Sequence, residues 1–312
     1  MSTRIPSQLI ENFGSIEFLA KQVVEGFITG MHKSPYHGFS VEFAEHRIYN
    51  PGESIRHIDW KLYARTEKLF TKRYEEETNL RCQLIIDSSS SMFFPVKEEL
   101  SLESPNKLLF SVYAAAALMQ MLRRQRDAVG LSIFDEKLHT HTPTKTTNTH
   151  HQILYRELEQ LLVDFQADQL KGSFTIDALH EIAEKIHQRS LVILFSDMFD
   201  RSGKDLDELF AALQHLRYNK HEVIVFHVSD REKEIDFEFE SRPHRFIDLE
   251  SGEELKLNPM DIQKEYKEQL ISFETELKSK CAQYHIDFIE ADINKGYEQV
   301  LMPYLLKRQK LY

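Results

Sequence analysis

The sequence of 312 residues has only two cysteines, ten glycines and no long uninterrupted apolar run. Two cysteines are too few for a disulfide framework or a cysteine-built zinc site, so a reducing compartment fits best. The longest candidate for a membrane span, residues 113–122, is interrupted by Gln120 and falls far short of the ~20 apolar residues that a bilayer requires. The glycine-rich phosphate-binding motifs and the G-x-S-x-G nucleophile motif are absent, which disfavours nucleotide binding and α/β-hydrolase chemistry.

Positive charge is also in short supply. The chain has 39 Lys and Arg against 50 Asp and Glu, a formal net charge of −11. This balance disfavours a nucleic-acid-binding protein and adhesion to an anionic membrane. Residues 1–10 contain no apolar signal core, so we expect a cytoplasmic protein with neither export signal nor membrane anchor. The length predicts two domains, or one domain with a sizeable elaboration.

Short apolar runs alternate with amphipathic segments over most of the chain, and a helix is predicted earlier, over residues 14–27. The alternation predicts an α/β fold, a doubly wound and mostly parallel sheet with helices on both faces. Ser104 is the predicted N-cap of the first long helix, with Pro105 at its first position. The predicted strands are 84–86, 129–134, 191–195, 223–228 and 286–289, and the predicted helices are 104–126, 151–165, 176–189, 206–216, 262–284 and 297–307.

Two regions depart from this alternation. Residues 237–257 read as a β-hairpin around the turn Ser251-Gly252. Strand-like segments at 41–44 and 69–74 precede the first apolar run, and we expect the hairpin to pair with them in a small second sheet. The sequence therefore suggests an N-terminal region over 1–78, helical and then β-rich, and an α/β domain over 79–312 with a hairpin insertion at about 235–258.

Two of the predicted strands end in carboxylates. The run 84–86 leads into Asp87 within a D-x-S-x-S motif, and the run 191–195 leads into Ser196 and Asp197. Ligands of open α/β sheets bind beyond the carboxyl ends of the strands. Within a tight loop, the side chains of alternate residues can face the same point. Asp87, Ser89 and Ser91 would then offer hard oxygen ligands that suit Mg²⁺, with Asp197 joining from the second strand. The alternative is a serine-rich turn whose hydroxyls only cap a helix.

The order of these two motifs resembles a von Willebrand factor A domain with its metal-ion-dependent adhesion site. The segment upstream of these motifs resembles the signature of the bacterial family named domain of unknown function 58. In members of that family, a von Willebrand A-like domain follows the signature. The family signature typically has Asp after the Pro-Gly pair, whereas this sequence has Glu53 after Pro51-Gly52. The resemblance covers residues 38–308 and rests upstream on Arg47, Tyr49, Pro51, Gly52, Arg56, Ile58, Asp59, Trp60, Ala64 and Arg65.

The resemblance implies a metal site and a way of using it. Asp87, Ser89, Ser91 and Asp197 match the family's ligands, and Ser173 or Thr175 matches the third-loop ligand. The implied cofactor is Mg²⁺, with Mn²⁺ or Ca²⁺ as alternatives, and the implied partner is a protein that donates an Asp or Glu to the metal. The implied role is non-enzymatic protein binding. Relatives tend to be encoded beside MoxR-type AAA+ ATPases, so the resemblance implies an adaptor or partner of such an ATPase.

The upstream segment allows further interpretations. Its signature residues Arg47, Tyr49, Arg56, Asp59, Trp60 and Arg65 could bind a partner or serve only the structure. Basic and aromatic side chains alternate over residues 47–73, which is compatible with a nucleic-acid or phosphate patch, although the net charge argues against it. A surface for an acidic partner protein and an internal ion-pair network are the other interpretations.

Three enzymatic or metal-binding alternatives carry weaker signals. Asp87 at a strand end is compatible with a Mg²⁺-dependent phosphatase, but that chemistry needs a second acid where Ser89 stands. His180-Glu181-x-x-Glu184 falls short of the zincin motif H-E-x-x-H, and an amphipathic helix with a polar rim explains it equally well. A histidine-rich connection could bind metal or be a solvated loop; its histidines are His139, His141, His150 and His151.

Overall fold

The computed structural model describes residues 15–32, 46–48, 60–72, 80–97, 100–164, 175–198, 206–249 and 252–311. The chain forms two compact units, one of Met1–Phe27 with Leu80–Tyr312 and one of Ile28–Asn79. The helices are α1 (Ile16–His32), α2 (Trp60–Thr66), α3 (Lys107–Arg124), α4 (Asn148–Asp164), α5 (Thr175–Lys185), α6 (Leu206–Tyr218), α7 (Pro259–Gln283) and α8 (Glu298–Leu311). The strands are β1 (His46–Ile48), β2 (Phe70–Lys72), β3 (Arg81–Asp87), β4 (Ala128–Phe134), β5 (Leu138–His141), β6 (Leu191–Ser196), β7 (Glu222–Ser229), β8 (His244–Ile247), β9 (Glu254–Leu257) and β10 (Asp287–Asp292).

The large unit is built on a six-stranded sheet of order β10-β7-β6-β3-β4-β5. All neighbours are parallel except β5, which runs antiparallel to β4 at one edge. This is the doubly wound order in which the first strand lies at the centre and successive strands extend to either side. The predicted fold class, a doubly wound and mostly parallel α/β sheet, is confirmed.

Because the order reverses at β3, the crevice between β3 and β6 is the topological switch point of the sheet. The registers place Ile86 of β3 opposite Phe195 of β6, so both strands end at the same edge. Asp87 is the last residue of β3, and Asp197 follows β6 directly. The fold therefore places both predicted acidic ligands where open α/β sheets bind their ligands.

Helices cover both faces of the sheet. Helix α3 is buried on every side over residues 107–122, which its run of alanines and leucines allows. Helices α5, α6 and α7 close the opposite face around a cluster that includes Ile85, Val192 and Val223. Both faces of β3 and β6 are therefore dry, and a charged group at their ends needs partners from the protein itself. None of the described helices is both long enough and apolar enough to cross a bilayer.

The small unit has two described strands, β1 and β2, which pair antiparallel with Arg47 opposite Thr71. Its described helix is α2. The predicted strand 41–44 lies outside the described residues, and the predicted strand 69–74 contains β2.

Three local predictions are corrected by the structure. The hairpin β8–β9 forms its own two-stranded sheet, so its predicted pairing with the strands before Leu84 is wrong for the described residues. Helix α3 starts at Lys107 with Asn106 as N-cap, whose Oδ1 accepts the Leu109 N–H at 2.8 Å, and not at Ser104. The histidine-rich connection contains the edge strand β5, which is too polar to be recognised as a strand from its sequence.

Candidate functional site

The loop after β3 arranges its serines alternately. The Ser88 hydroxyl turns toward β4 and donates to the Phe134 carbonyl oxygen at 2.8 Å. The hydroxyls of Ser89 and Ser91 turn to a common side, 3.1 Å apart, and the Ser89 N–H donates to Asp87 Oδ1 at 2.9 Å. A single 3₁₀ turn, Ser90–Phe93, holds this geometry. Asp87, Ser89 and Ser91 thus form one oxygen-rich cluster, as the alternation of the motif predicts.

The end of β6 joins this cluster through a hydroxyl. Ser196 Oγ donates to Asp87 Oδ2 at 2.7 Å and accepts the Met198 N–H at 2.9 Å. The next residue, Asp197, is 1% exposed. His227 of β7 lies behind it, and its ring Nε2 is 3.0 Å from the Asp197 carbonyl oxygen. Two strand ends are therefore tied together by Ser196, and the backbone of Asp197 is supported from a third strand.

Burial controls the charge of the first carboxylate. Asp87 is fully buried, and this burial, together with the negative charge of Asp197, raises the pKa of the Asp87 carboxyl to about 7. The hydrogen bonds from Ser89 and Ser196 favour the charged form but do not outweigh that penalty. A cation close to Asp87 would stabilise its ionised form.

A lysine that was not predicted lies at the same edge. The Lys107 ammonium contacts Asp197 Oδ2 at 2.8 Å and Glu234 Oε1 at 2.6 Å. Burial lowers the pKa of Lys107, but the charges of Asp197 and Glu234 outweigh it and raise the pKa above its usual range. Lys107 is therefore a permanent cation inside the site.

The donor set can be tested against the metal that the family resemblance implies. Neighbouring oxygens around octahedral Mg²⁺ lie about 3.0 Å apart, since each metal–oxygen distance is about 2.1 Å. The 3.1 Å between the Ser89 and Ser91 hydroxyls matches this spacing. Asp87, Asp197 and the neighbouring Glu234, which contacts Lys107 but is not a metal ligand, carry three formal negative charges against the one positive charge of Lys107. A divalent cation would balance the remaining −2. The residues present therefore fit Mg²⁺.

The predicted third-loop ligand is less well defined. Ser173 lies outside the described residues. Thr175 is the first residue of α5, and the structure does not describe its side chain. The choice between the two stays a prediction.

The signature residues of the small unit are also only partly described. Arg47 lies in β1, Trp60 begins α2, and Arg65 is exposed in the last turn of α2. Tyr49, Arg56 and Asp59 lie outside the described residues. The partner-binding and structural interpretations of this segment stay predictions.

The predicted zinc alternatives do not assemble among the described residues. His180 Nδ1 lies 2.9 Å from Nδ1 of His215 on α6, and Glu181 pairs with Lys185 at 2.6 Å. His187 lies beyond the end of α5. Within the described part of the chain, no group of three or more His, Cys, Asp or Glu could hold a metal ion.

The four histidines of the histidine-rich connection also separate. His139 and His141 lie on β5, where they contact Asp135 at 2.5 Å and Ser132 at 3.0 Å. His150 and His151 lie on α4. The solvated-loop interpretation is therefore also incorrect for these residues, since β5 and α4 contain them.

Sequence reasoning missed Lys107, Glu234 and His227. A lysine in the first turn of an apolar helix opposes the helix dipole, and this signal could have singled out Lys107. Glu234 lies in the charged run Arg231–Ile235, which reads as an ordinary solvated turn. No local feature marks His227, because only the strand order brings it behind Asp197.

A family model and several known proteins are similar to this chain. The family model described as "Protein of unknown function DUF58" matches residues 45–274. The uncharacterized proteins Rv1480 of Mycobacterium tuberculosis and Mb1516 of Mycobacterium bovis are each 24% identical over 184 residues. Those residues are 59% of this chain and 55% of each relative, so the match spans about half the length of these curated relatives.

Solved structures of similar shape include two from Bacteroides. The conserved hypothetical protein BatB of Bacteroides thetaiotaomicron is 15% identical, covers 75% of this chain and 100% of its own, and has a TM-score of 0.44. An aerotolerance-related membrane protein of Bacteroides fragilis is 15% identical with coverages of 72% and 97% and a TM-score of 0.43. The VWA domain of SpRpn10 is 8% identical, with coverages of 71% and 93% and a TM-score of 0.38.

Proposed function

The chain belongs to the DUF58 family, and from that premise we propose that it is a non-enzymatic protein-interaction module that depends on a divalent cation. The observation that carries this proposal is the cluster of Asp87, Ser89 and Ser91 at the switch point of the sheet, tied to β6 by Ser196. This cluster offers hard oxygen ligands at a spacing that suits Mg²⁺, and Mn²⁺ or Ca²⁺ are alternative occupants.

Several residues of the site would contribute to binding of the cation, some as ligands and others by orienting the ligands. Asp87, Ser89 and Ser91 would supply oxygens from one loop, and Asp197 would act directly or through water. A bound divalent cation would supply an open position for a carboxylate of the partner. Ser196 orients Asp87, and His227 supports the backbone that carries Asp197. A charge-assisted contact of this kind fixes the orientation of the partner in a low-dielectric crevice.

We further propose the class of partner and the setting. The family resemblance favours a MoxR-type AAA+ ATPase, or a protein handled by one, in the bacterial cytoplasm. The partner would present an exposed Asp or Glu to the site. A membrane surface and nucleic acid are disfavoured by the net charge of −11.

Thermal unfolding of the full chain in Mg²⁺ and in EDTA tests the metal site. We expect Mg²⁺ to raise the melting temperature of the wild type and to leave Asp87→Ala unchanged, because this variant loses the central carboxylate. Asp135→Ala is the matched control, since Asp135 is also buried and also follows a strand at this edge. An equal Mg²⁺ response in Asp87→Ala would remove Asp87 from the site.

An assay of phosphomonoester hydrolysis separates the module from a phosphatase. We expect no turnover, because Ser89 stands where a phosphatase of this type needs its proton-donating acid. Mg²⁺-dependent turnover that is lost in Asp87→Asn would contradict the non-enzymatic assignment.

A further inference from the structure

The position of Lys107 conflicts with local rules for helices. It is the first residue of α3, where the helix dipole repels a cation, and it is 1% exposed. A buried ammonium is costly unless carboxylates compensate it. Tertiary contacts therefore determine its presence, and residues that break local rules tend to mark functional sites.

The two carboxylates that hold Lys107 differ in kind. Asp197 belongs to the predicted metal ligands. Glu234 does not, and it is fixed separately, because its Oε2 accepts the Asp230 N–H at 2.7 Å. The backbone of Lys107 is bound to the loop after β3, since the Lys107 N–H donates to the Phe94 carbonyl oxygen at 3.0 Å. The ammonium thus lies between one carboxylate inside the metal site and one outside it.

We propose that Lys107 competes with the divalent cation for the Asp197 carboxylate. Glu234 favours binding of the cation, because it also pairs with the Lys107 ammonium. This inference rests on the proposed metal-dependent function and adds its regulation. A cation and an ammonium at one carboxylate repel each other, so each weakens the other's binding. Glu234 offers Lys107 a second fixed contact and thereby makes Asp197 available.

Competition predicts that removal of the Glu234 charge and removal of the Lys107 charge change the metal affinity in opposite directions. Glu234→Gln leaves the Lys107 charge to Asp197 alone, so the dissociation constant of the metal should rise about tenfold. Lys107→Met removes the competitor, so the dissociation constant should fall about tenfold. A role in merely holding the fold together would weaken metal binding in both variants.

The experiment is isothermal titration of the full chain with Mn²⁺, at fixed pH and ionic strength. Matched controls come from the other end of β7, where Lys307 contacts Glu222 at 2.7 Å. Glu222→Gln and Lys307→Met carry the same charge changes, and both should leave the dissociation constant unchanged. The double variant Lys107→Met/Glu234→Gln lacks the competitor, and it should bind Mn²⁺ at least as tightly as the wild type.

The results separate this inference from the proposed function. A wild type without Mn²⁺ binding overturns both. A wild type that binds, with Lys107→Met weakened or both single variants unchanged, overturns the competition and leaves the metal site standing. If Lys107→Met does not fold, Glu234→Gln and the double variant test the competition. Weak Mn²⁺ binding by Glu234→Gln that is restored in the double variant supports competition. Equally weak Mn²⁺ binding by both variants contradicts it.

Discussion

Two lysines at opposite edges of the sheet each join two carboxylates at 2.6–2.9 Å, but in different surroundings. At the carboxyl edge, the side chains of Lys107 and Asp197 are both 1% exposed, and that of Glu234 is 20% exposed. At the amino edge, Lys307 is 15% exposed, and its partners Glu222 and Asp287 are 31% and 49% exposed. The two clusters have the same geometry and differ in their access to water.

That difference sets their energies. Exposed ion pairs are screened by solvent and contribute about 0–1 kcal/mol to stability. Buried charges lose their hydration, so a buried pair is a weak stabiliser, although removal of one partner is strongly destabilising. Similar distances therefore do not imply similar roles, and a cluster that is costly to bury is the better candidate for function.

Removal of each lysine tests this comparison most strongly. Lys107→Met leaves the buried Asp197 carboxylate and the half-buried Glu234 carboxylate without their cation, and the free energy of unfolding in EDTA should fall by about 3–5 kcal/mol. Lys307→Met should cost less than about 1 kcal/mol, because water replaces the ammonium. Urea unfolding of both variants measures the difference, and equal losses would contradict the distinction between the two edges.

His151 extends the comparison to a buried titratable group that has no hydrogen-bonded carboxylate among the described residues. Among the described residues, neither of its ring nitrogens has a hydrogen-bond partner, and burial, assisted by the positive charge of Arg123, lowers its pKa to about 4. The unfolded chain protonates this side chain below about pH 6.5, whereas the folded chain does so only near pH 4. The unfolded state therefore binds more protons between these values, and stability falls as the pH falls.

Between pH 7.5 and pH 5, His151 should lower the free energy of unfolding by about 2 kcal/mol. His151→Phe should remove this contribution to the pH dependence of the free energy of unfolding, measured in urea at both pH values. The exposed His187→Gln is the control. A pH dependence that is identical in His151→Phe and the wild type would show that burial does not keep His151 neutral.

Ser196, the last residue of β6, and Ser190, which directly precedes β6, give the most specific test. Ser196→Ala removes the donor to Asp87 and leaves the buried Met198 N–H without its acceptor, at a cost of about 1–3 kcal/mol. Ser190, at the other end of β6, donates to the His187 carbonyl oxygen at 2.5 Å and lies far from the metal ligands along the strand. Both variants should lose stability, but only Ser196→Ala should also lose part of its Mg²⁺ response in thermal unfolding. A reduced Mg²⁺ response in Ser190→Ala as well would show that the effect is not local.

Much of the fold could be predicted from the sequence, because the runs before Asp87 and Asp197 are short, continuous and apolar. A strand buried on both faces must read this way, and its carboxyl end then locates the site. Strand β5 could not be predicted, since an edge strand with one polar face lacks this signature. Asn106 was missed as the N-cap because Ser104-Pro105 offers an equally good local signal two residues earlier.

The contacts of the site were less predictable than its loops. The alternation of D-x-S-x-S correctly predicts which hydroxyls meet, because that geometry is local. The contacts of Lys107 with Asp197 and Glu234 span 90 and 127 residues of sequence, and no local pattern specifies them. The hairpin illustrates the same limit, since its alternation predicts two strands but not which strands they pair with.

The proposed function requires a protein partner that binds through the metal held by the Asp87 cluster. Affinity capture from a lysate of the source organism, with the full chain as bait in Mg²⁺ and in EDTA, tests it most directly. We expect a protein that the wild type and Asp135→Ala retain in Mg²⁺, and that is lost in EDTA and with Asp87→Ala. Retention of the same proteins by wild type and Asp87→Ala in both buffers would contradict it.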